Sequence, residues 1–350
     1  MWGAGRLTIS RSRSPGDLIS RSGRRRTTRP SSPSAGSRLP STRSSASKRC
    51  LHAAALLAIL APSCRHQASA AAFDGRQAFA TLERQCSFGP RVPGTAPHDS
   101  CFAYLVGRLR ELAPVVETDT FTYDSPDLRK EVRLMNAVAR FRPKAKERIL
   151  FGAHWDSRPW ADHDSIPAHR NRPVLGANDG ASGVAVLLEV ARVLQKTGTP
   201  IGIDLALFDG EDLGTEENPS GFFRGSTRYV EWRGDERPLF VLVLDLVGKR
   251  DLKLKWEANS QEQASNIVDL VWQEARELGI RNFRSEPGPR VYDDHIPFLN
   301  AGIPAVDLID FDFPEWHTTR DTPAVCSPAS LAAVGTVLVS LATKASFLSR

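Results

Sequence analysis

Acidic side chains are almost absent from the first 72 residues, where thirteen Lys and Arg stand against Asp17 alone. Residues 1–50 are dominated by Arg, Ser, Pro, Gly and Thr. Such a stretch cannot bury enough apolar surface to offset the entropy of ordering it. Long hydrophobic runs are lacking too. The apolar run of this leader, Leu51–Leu60 (LHAAALLAIL), falls well short of the roughly 20 residues that cross a bilayer, so it is no membrane span. Cysteine is scarce, five in 350 residues, and no Cys-x-x-Cys pair occurs, which argues against a structural zinc knuckle. Past residue 72 the cysteines are Cys86, Cys101 and Cys326. An oxidising compartment permits a Cys86–Cys101 bridge with Cys326 left over; three buried thiols are the equal alternative. There is no internal repeat and no sign of a second folded domain.

What is present at the N-terminus reads as an export signal. Lys48-Arg49 precede the apolar run, and Ala68-Ser69-Ala70 and Ala71-Ala72 follow it. A basic region, a short apolar core and an Ala-x-Ala site make a secretory signal peptide, cleaved after Ala70 or Ala72. The expected division is therefore 1–72 as disordered basic leader plus signal peptide, and 73–350 as the catalytic domain of a periplasmic or extracellular protein. Two alternatives are weaker. Cys64 would be a lipid-modified anchor, but the residue three before it is Ala61 rather than Leu. An organelle transit peptide would also be Arg- and Ser-rich, but would lack the discrete apolar core. The leader carries +12 of charge and the whole chain +6, which leaves −6 for the remainder. A mildly acidic mature domain excludes nucleic acid as a partner.

About 280 residues suffice for one α/β domain with a large core. Helical spacing of apolar residues marks 73–88 and 98–112, and a helix buried on most faces is expected over Gly183–Leu194 (GVAVLLEVARVL). An amphipathic helix is expected over 264–278 and a closing one over 331–348. Strand patterns mark 115–123, 132–141, 148–154, 203–208, 239–246 and 305–309. Strands alternating with helices predict a three-layer α/β sandwich, a mostly parallel central sheet flanked by helices. Sites in such sheets lie beyond the C-terminal ends of the strands, and here each core strand ends in an acid or a histidine: His154-Trp155-Asp156, Asp209-Gly210-Glu211-Asp212 and Asp245.

Taken together, His154, Asp156, Asp179, Glu211, Asp212, Asp245, Asp293, Asp294, His295 and His317 would make one carboxylate-rich edge with two or three imidazoles. Clustered acids without a cation repel or take up protons. A divalent ion relieves this, and mixed His and carboxylate ligation suits catalytic zinc. The neighbours Glu211-Asp212 can divide the work, one holding metal and the other shuttling a proton. Acids gathered at a helix N-terminus would look the same in sequence.

In order and spacing, His154-x-Asp156, Asp179-Gly180, Glu211-Asp212, Asp245 and His317 resemble the zinc aminopeptidases of co-catalytic type. Within that superfamily the chain is most similar to the glutaminyl cyclases (glutaminyl-peptide cyclotransferases), over residues 75–345. The most specific stretches are 176–181 (GANDGA), 208–211 (FDGE), 293–298 (DDHIPF) and 313–318 (FPEWHT). The resemblance implies Asp179, Asp212 and His317 as zinc ligands and Glu211 as general acid/base. It also implies a hydrogen-bonded acid pair, Asp245 and Asp293, beside Glu211, and Trp316 and Phe313 as walls of the substrate pocket. His154 stands where the aminopeptidases hold a second zinc, with Asp245 as its partner and Asp156 orienting it. One zinc is the expectation and two the alternative.

The Asp293-Asp294-His295 triplet, where aminopeptidases have Ser-Asp-His, favours the cyclase branch. The implied activity is conversion of N-terminal Gln to pyroglutamate with release of ammonia, on peptide or protein N-termini. The alternative is a di-zinc aminopeptidase. An inactive binding module on the same fold is disfavoured because every expected ligand position is filled. No oligomer is specified, and a monomer is favoured.

Overall fold

The computed structural model describes residues 72–344, so the leader, its cleavage site, Cys64 and the last six residues lie outside the described region. The chain opens with α1 (Gly75–Cys86) and α2 (Ala96–Leu112), followed by the hairpin β1 (Val115–Ser125) and β2 (Lys130–Phe141). Next come β3 (Arg148–His154), α3 (Ala181–Thr197), β4 (Gly202–Phe208), α4 (Arg224–Arg233) and β5 (Val241–Asp245). A small excursion follows through β6 (Leu254–Trp256), α5 (Ala258–Gln263), α6 (Ser265–Glu277) and β7 (Phe283–Pro287). The chain closes with α7 (Ile296–Asn300), β8 (Ala305–Ile309) and α8 (Pro328–Lys344).

The six strands expected from the sequence form one sheet, in the order β1-β2-β4-β3-β5-β8. The β4–β3, β3–β5 and β5–β8 pairings are parallel, and β1–β2 and β2–β4 antiparallel. Alternation along each central strand divides its side chains between two apolar layers. Ala137, Ile149, Phe151, Leu205, Leu207, Leu242 and Leu244 face the larger layer, which includes buried residues of α1, α2, α3, α6 and α8. Val138, Leu150, Ala206, Val241 and Val243 face a smaller one, with Tyr229 of α4 and Phe298 of α7. The three-layer sandwich is as expected. The antiparallel edge is the part that patterning alone left open.

The separate two-stranded sheet, β6 with β7, was not legible in the sequence. β6 is three residues long, and β7 buries Phe283 while its next four residues are exposed. The cysteines follow the thiol alternative: Cys86, Cys101 and Cys326 are free and buried. Cys86 ends α1 and Cys101 lies within α2, both packed into the larger layer as small apolar groups. Burial pushes the two thiols up to about 12 and about 11.

After β3 the chain adds β4 on one side, then crosses to add β5 on the other. This reversal opens a crevice at the strands' C-terminal ends. The register brings His154 level with Phe208 and Asp245 level with Ile309, so the ends are flush. α3 lies directly over them. A Cβ on Gly183 would stand 2.3 Å from the Leu244 carbonyl oxygen and 2.8 Å from Ala153 Cβ.

Gly→Ala in a helix ordinarily gains up to about 1 kcal/mol, less in the first turn where Gly183 stands, whereas overpacking costs about 1–3 kcal/mol. Since the obstacle here is backbone, Gly183→Ala is expected to lower the urea midpoint and Gly183→Val to lower it further, with unchanged m. A Gly183→Ala protein more stable than wild type would contradict this packing.

Candidate metal centre and active site

Four loops meet at this crevice, and each is fixed by backbone hydrogen bonds to a buried side chain. At the end of β3, Trp155 is fully buried, stacks on His98 with centroids 4.3 Å apart, and donates Nε1–H to the Met135 carbonyl at 2.9 Å. With Trp155 pinned, its neighbours His154 and Asp156 turn into the site. Asp156, fully buried, accepts the backbone N–H groups of Glu211 and Asp212, both at 3.2 Å. Asp209 anchors the start of the same loop, accepting from Met135 N at 2.6 Å and from His98 Nε2 at 3.0 Å. Gly210 then reverses the chain at φ +75°.

The turn before α3 is gripped from two sides. Asp321 accepts from Asn178 N at 2.8 Å and Asp179 N at 3.1 Å. The fully buried Arg91 donates to the carbonyls of Trp155, Leu175 and Gly176 at 2.7–2.8 Å. Gly180 has φ +87°, and a Cβ there would stand 2.8 Å from the Asp156 carbonyl oxygen. On the last loop, His317 itself adopts a left-handed φ of +53°.

Two ligand-like groups result, sharing Asp179. Asp179, Asp212 and His317 bring one donor atom each within 4.8 Å of one another. His317 Nε2 lies 3.2 Å from Asp212 Oδ1 and 3.8 Å from Asp179 Oδ2. The second oxygens of Asp179 and Asp212 are buried with no hydrogen-bond partner. Orphaned acceptors facing an imidazole fit a cation, and one nitrogen with two carboxylates is a zinc donor set. His154, Asp179 and Asp245 form the other group. His154 Nε2 is 3.2 Å from Asp179 Oδ1 and from Asp245 Oδ1, and its Nδ1 is 3.5 Å from Asp156.

The adjacent acids Glu211 and Asp212 are driven apart. Burial and the charge of Asp212 push Glu211 well above the usual carboxyl range. Burial would raise Asp212 too, but the hydrogen bond and charge of His317 hold it at about 2. Two neighbouring carboxyls of opposite tendency suit a proton carrier beside an ionised ligand. Asp245 and Asp293 are both raised to about 6, first by burial; the charge of Asp179 also raises Asp245, and that of Asp245 raises Asp293. Asp245 Oδ1 is occupied by His154 and by Leu246 N–H, and Asp293 Oδ1 by Asp294 N–H. The coupling of the two acids is therefore through charge.

Trp316 stacks on His317 with centroids 3.7 Å apart and meets Phe311 at 4.9 Å. Phe313 lies beneath, buried with Leu246, Val291 and Ile309, and borders a surface cavity of about 460 Å³ with Lys249 and Val325. Asp294 and His295 turn away from the metal group: Asp294 accepts from Ser226 Oγ at 2.5 Å, and His295 Nε2 lies 3.3 Å from Glu257. Sequence reading missed Arg91, Arg158, Asp162, His163 and Asp321. Only the proximity of Arg158 and Asp162 to the His154-x-Asp156 element, as His-Trp-Asp-Ser-Arg-Pro-Trp-Ala-Asp, could have signalled any of them.

The peptidase family M28 model matches residues 136–342. A glutaminyl-peptide cyclotransferase of Drosophila melanogaster is 29% identical over 268 residues, 69% of this chain and 73% of that protein. A solved structure of Bacteroides thetaiotaomicron glutaminyl cyclase bound to N-acetylhistamine superposes with TM-score 0.75. It is 32% identical, and the match covers 79% of this chain and 99% of that one. A structure described as a leucine aminopeptidase precursor from the same species is as similar, with 33% identity, TM-score 0.75, and coverage of 79% and 98%.

Replacing Arg91 by Met would strand three buried carbonyls, each costing about 1–3 kcal/mol. Arg91→Met is expected to lose at least about 3 kcal/mol in chemical denaturation, with Arg91→Lys recovering part of it. Wild-type stability in Arg91→Met would show that the clamp on the Asp179 turn carries little.

Proposed function

Since the chain belongs to peptidase family M28, we propose that it is a zinc-dependent glutaminyl cyclase, converting N-terminal Gln of peptides to pyroglutamate with release of ammonia. The observation that carries this reading is Asp293. It is buried, coupled by charge to Asp245 beside Glu211, and stands where the resemblance places a hydrolase serine.

Asp179, Asp212 and His317 would hold the ion. Zinc bound there supplies Lewis acidity toward the side-chain amide carbonyl of the substrate. Glu211 takes a proton from the α-amine as that nitrogen bonds to the amide carbon, then delivers it to the departing ammonia as the old C–N bond breaks. No water is consumed. The amine and its own side chain are already joined, so orientation supplies much of the acceleration, and Trp316 provides an apolar wall that limits their freedom. The charge coupling of Asp245 and Asp293 favours keeping one of the two protonated, which leaves Asp245 engaged with His154 and one zinc per chain.

A di-zinc aminopeptidase is the second reading, favoured by the ligand-like reach of His154, Asp179 and Asp245. In that reaction Glu211 would instead deprotonate an attacking water. The leader supports export, and no helix among the described residues is long and apolar enough to cross a membrane. Intact mass of exported protein is expected to place its first residue near Ala71 or Phe73.

Purified protein is expected to release ammonia from Gln-peptides and no free amine from Leu-anilides. Asp179→Ala or His317→Ala is expected to lose zinc and activity together. Glu211→Gln should keep zinc and lose about 10²–10⁴-fold in turnover. Asp293→Ala should keep zinc and lose cyclisation. Two tightly bound zincs with a fully active Asp293→Ala on anilides would favour the aminopeptidase instead.

A further inference from the structure

His317 belongs to no helix or strand, has a left-handed backbone, and sits within a tight turn in which Thr318 N donates to the Glu315 carbonyl at 3.1 Å. Its imidazole therefore needs another source of orientation. Nδ1 of His317 lies 3.4 Å from Asp162 Oδ1. Asp162 in turn is gripped by both arms of one guanidinium: Arg158 Nε donates to its Oδ1 at 2.9 Å and Nη2 to its Oδ2 at 2.6 Å. The third nitrogen of Arg158 donates to the backbone carbonyls of Asp212 at 3.2 Å and Gly214 at 3.1 Å. Arg158 is 3% exposed. The chain of contacts closes on itself, because His317 Nε2 lies 3.2 Å from Asp212 Oδ1. One buried fork thus links the loop after β3, the loop after β4 and the loop before α8.

We propose that Arg158 and Asp162 are positioning residues for the metal centre, an inference that rests on Asp179, Asp212 and His317 being the zinc ligands. Asp162 Oδ1 is an acceptor 3.4 Å from Nδ1, within ion-pair reach though without a formed hydrogen bond, and so favours the His317 tautomer with hydrogen on Nδ1. The Nε2 lone pair then points toward Asp212 and Asp179. Arg158 holds Asp162 in register and at the same time fixes the backbone of the Asp212 loop, so the two ligands keep their separation through one planar group. A lysine would keep the charge but could not span both the carboxylate and two carbonyls. Asp162 is half-buried and makes no contribution to the apolar layers, so its replacement by Asn opens no cavity, although it weakens the pairing of the buried Arg158.

Zinc dissociation constants from chelator competition on the full chain test this without reference to activity. Asp162→Asn and Arg158→Lys are each expected to weaken zinc binding about 10–100-fold, as loss of such supporting groups does. Chelator-treated Asp162→Asn should still unfold in one cooperative transition above the titration temperature, so that its zinc affinity is read on folded protein. Because both residues act along one path, the double variant should bind no more weakly than the weaker single variant. Wild-type affinity in Asp162→Asn, or losses that multiply in the double variant, would overturn the proposal. Zinc binding undiminished in Asp179→Ala would instead show that the underlying ligand set is wrong.

Discussion

The electrostatic cost of gathering Asp179, Glu211, Asp212, Asp245 and Asp293 at one buried sheet edge is the constraint that organises this molecule. Isolated ionised carboxylates lose several kcal/mol each on burial, and neighbours of like charge add to that. Each one here is met differently. Asp212 is stabilised by His317, and Asp179 and Asp245 by His154, while Glu211 is pushed well above the usual carboxyl range and so becomes a ready proton acceptor. The orphaned oxygens of Asp179 and Asp212 mark the remainder, which a bound dication relieves. The site is thus a place where the fold is incomplete by itself, and that incompleteness is its binding capacity.

A second set of acids makes the first one possible. Asp156 and Asp321 are fully buried, yet each spends its oxygens on backbone N–H groups of the loops that carry the chemistry, while the equally buried Asp209 ties the start of its loop to Met135 N of β2 and to His98. These loops cannot borrow regularity from the sheet, since they begin where the strands stop. Side chains from neighbouring loops supply the missing partners, and Arg91 does the same for the carbonyls on the opposite side. With the peptide groups so occupied, even left-handed His317 and Leu246 are held in place. Their local strain, of order 1–3 kcal/mol each, is offset by the surrounding hydrogen bonds.

Structures similar to this one carry the names of a glutaminyl cyclase and of a leucine aminopeptidase precursor. The chemistry that separates them is small. Either reaction polarises a carbonyl at zinc and moves a proton through one carboxyl; only the nucleophile differs, water in one and the substrate's own amine in the other. In the proposed reading, what a chain adjusts is the engagement of the second ligand group, and Asp293 beside Asp245 would be the residue on which that adjustment turns.

Much of this was readable from residues alone. Apolar runs located the central strands, because a strand buried on both faces leaves little choice of side chain, and β-branched, alternating residues located the half-exposed edge strand β1. The acids and histidines around the ends of those runs marked one carboxylate-rich edge, since strand ends in such sheets face one side, and the family resemblance supplied which of them would hold zinc. Glu211 and Asp212 could be told apart only by resemblance, as both leave the same turn. Their opposite tendencies depend on His317, which is 105 positions away in the chain. Pattern could not find Arg158, Asp162 or Arg91 either, because a charged residue in a loop looks solvated until the loops close around it. Sequence determined the strands, the layers and the identity of the chemical groups, all of which follow from local periodicity and side-chain type. Tertiary structure alone decided which carboxylates became ions, which became acids and which became braces, because those roles are set by distances between loops that no local pattern encodes.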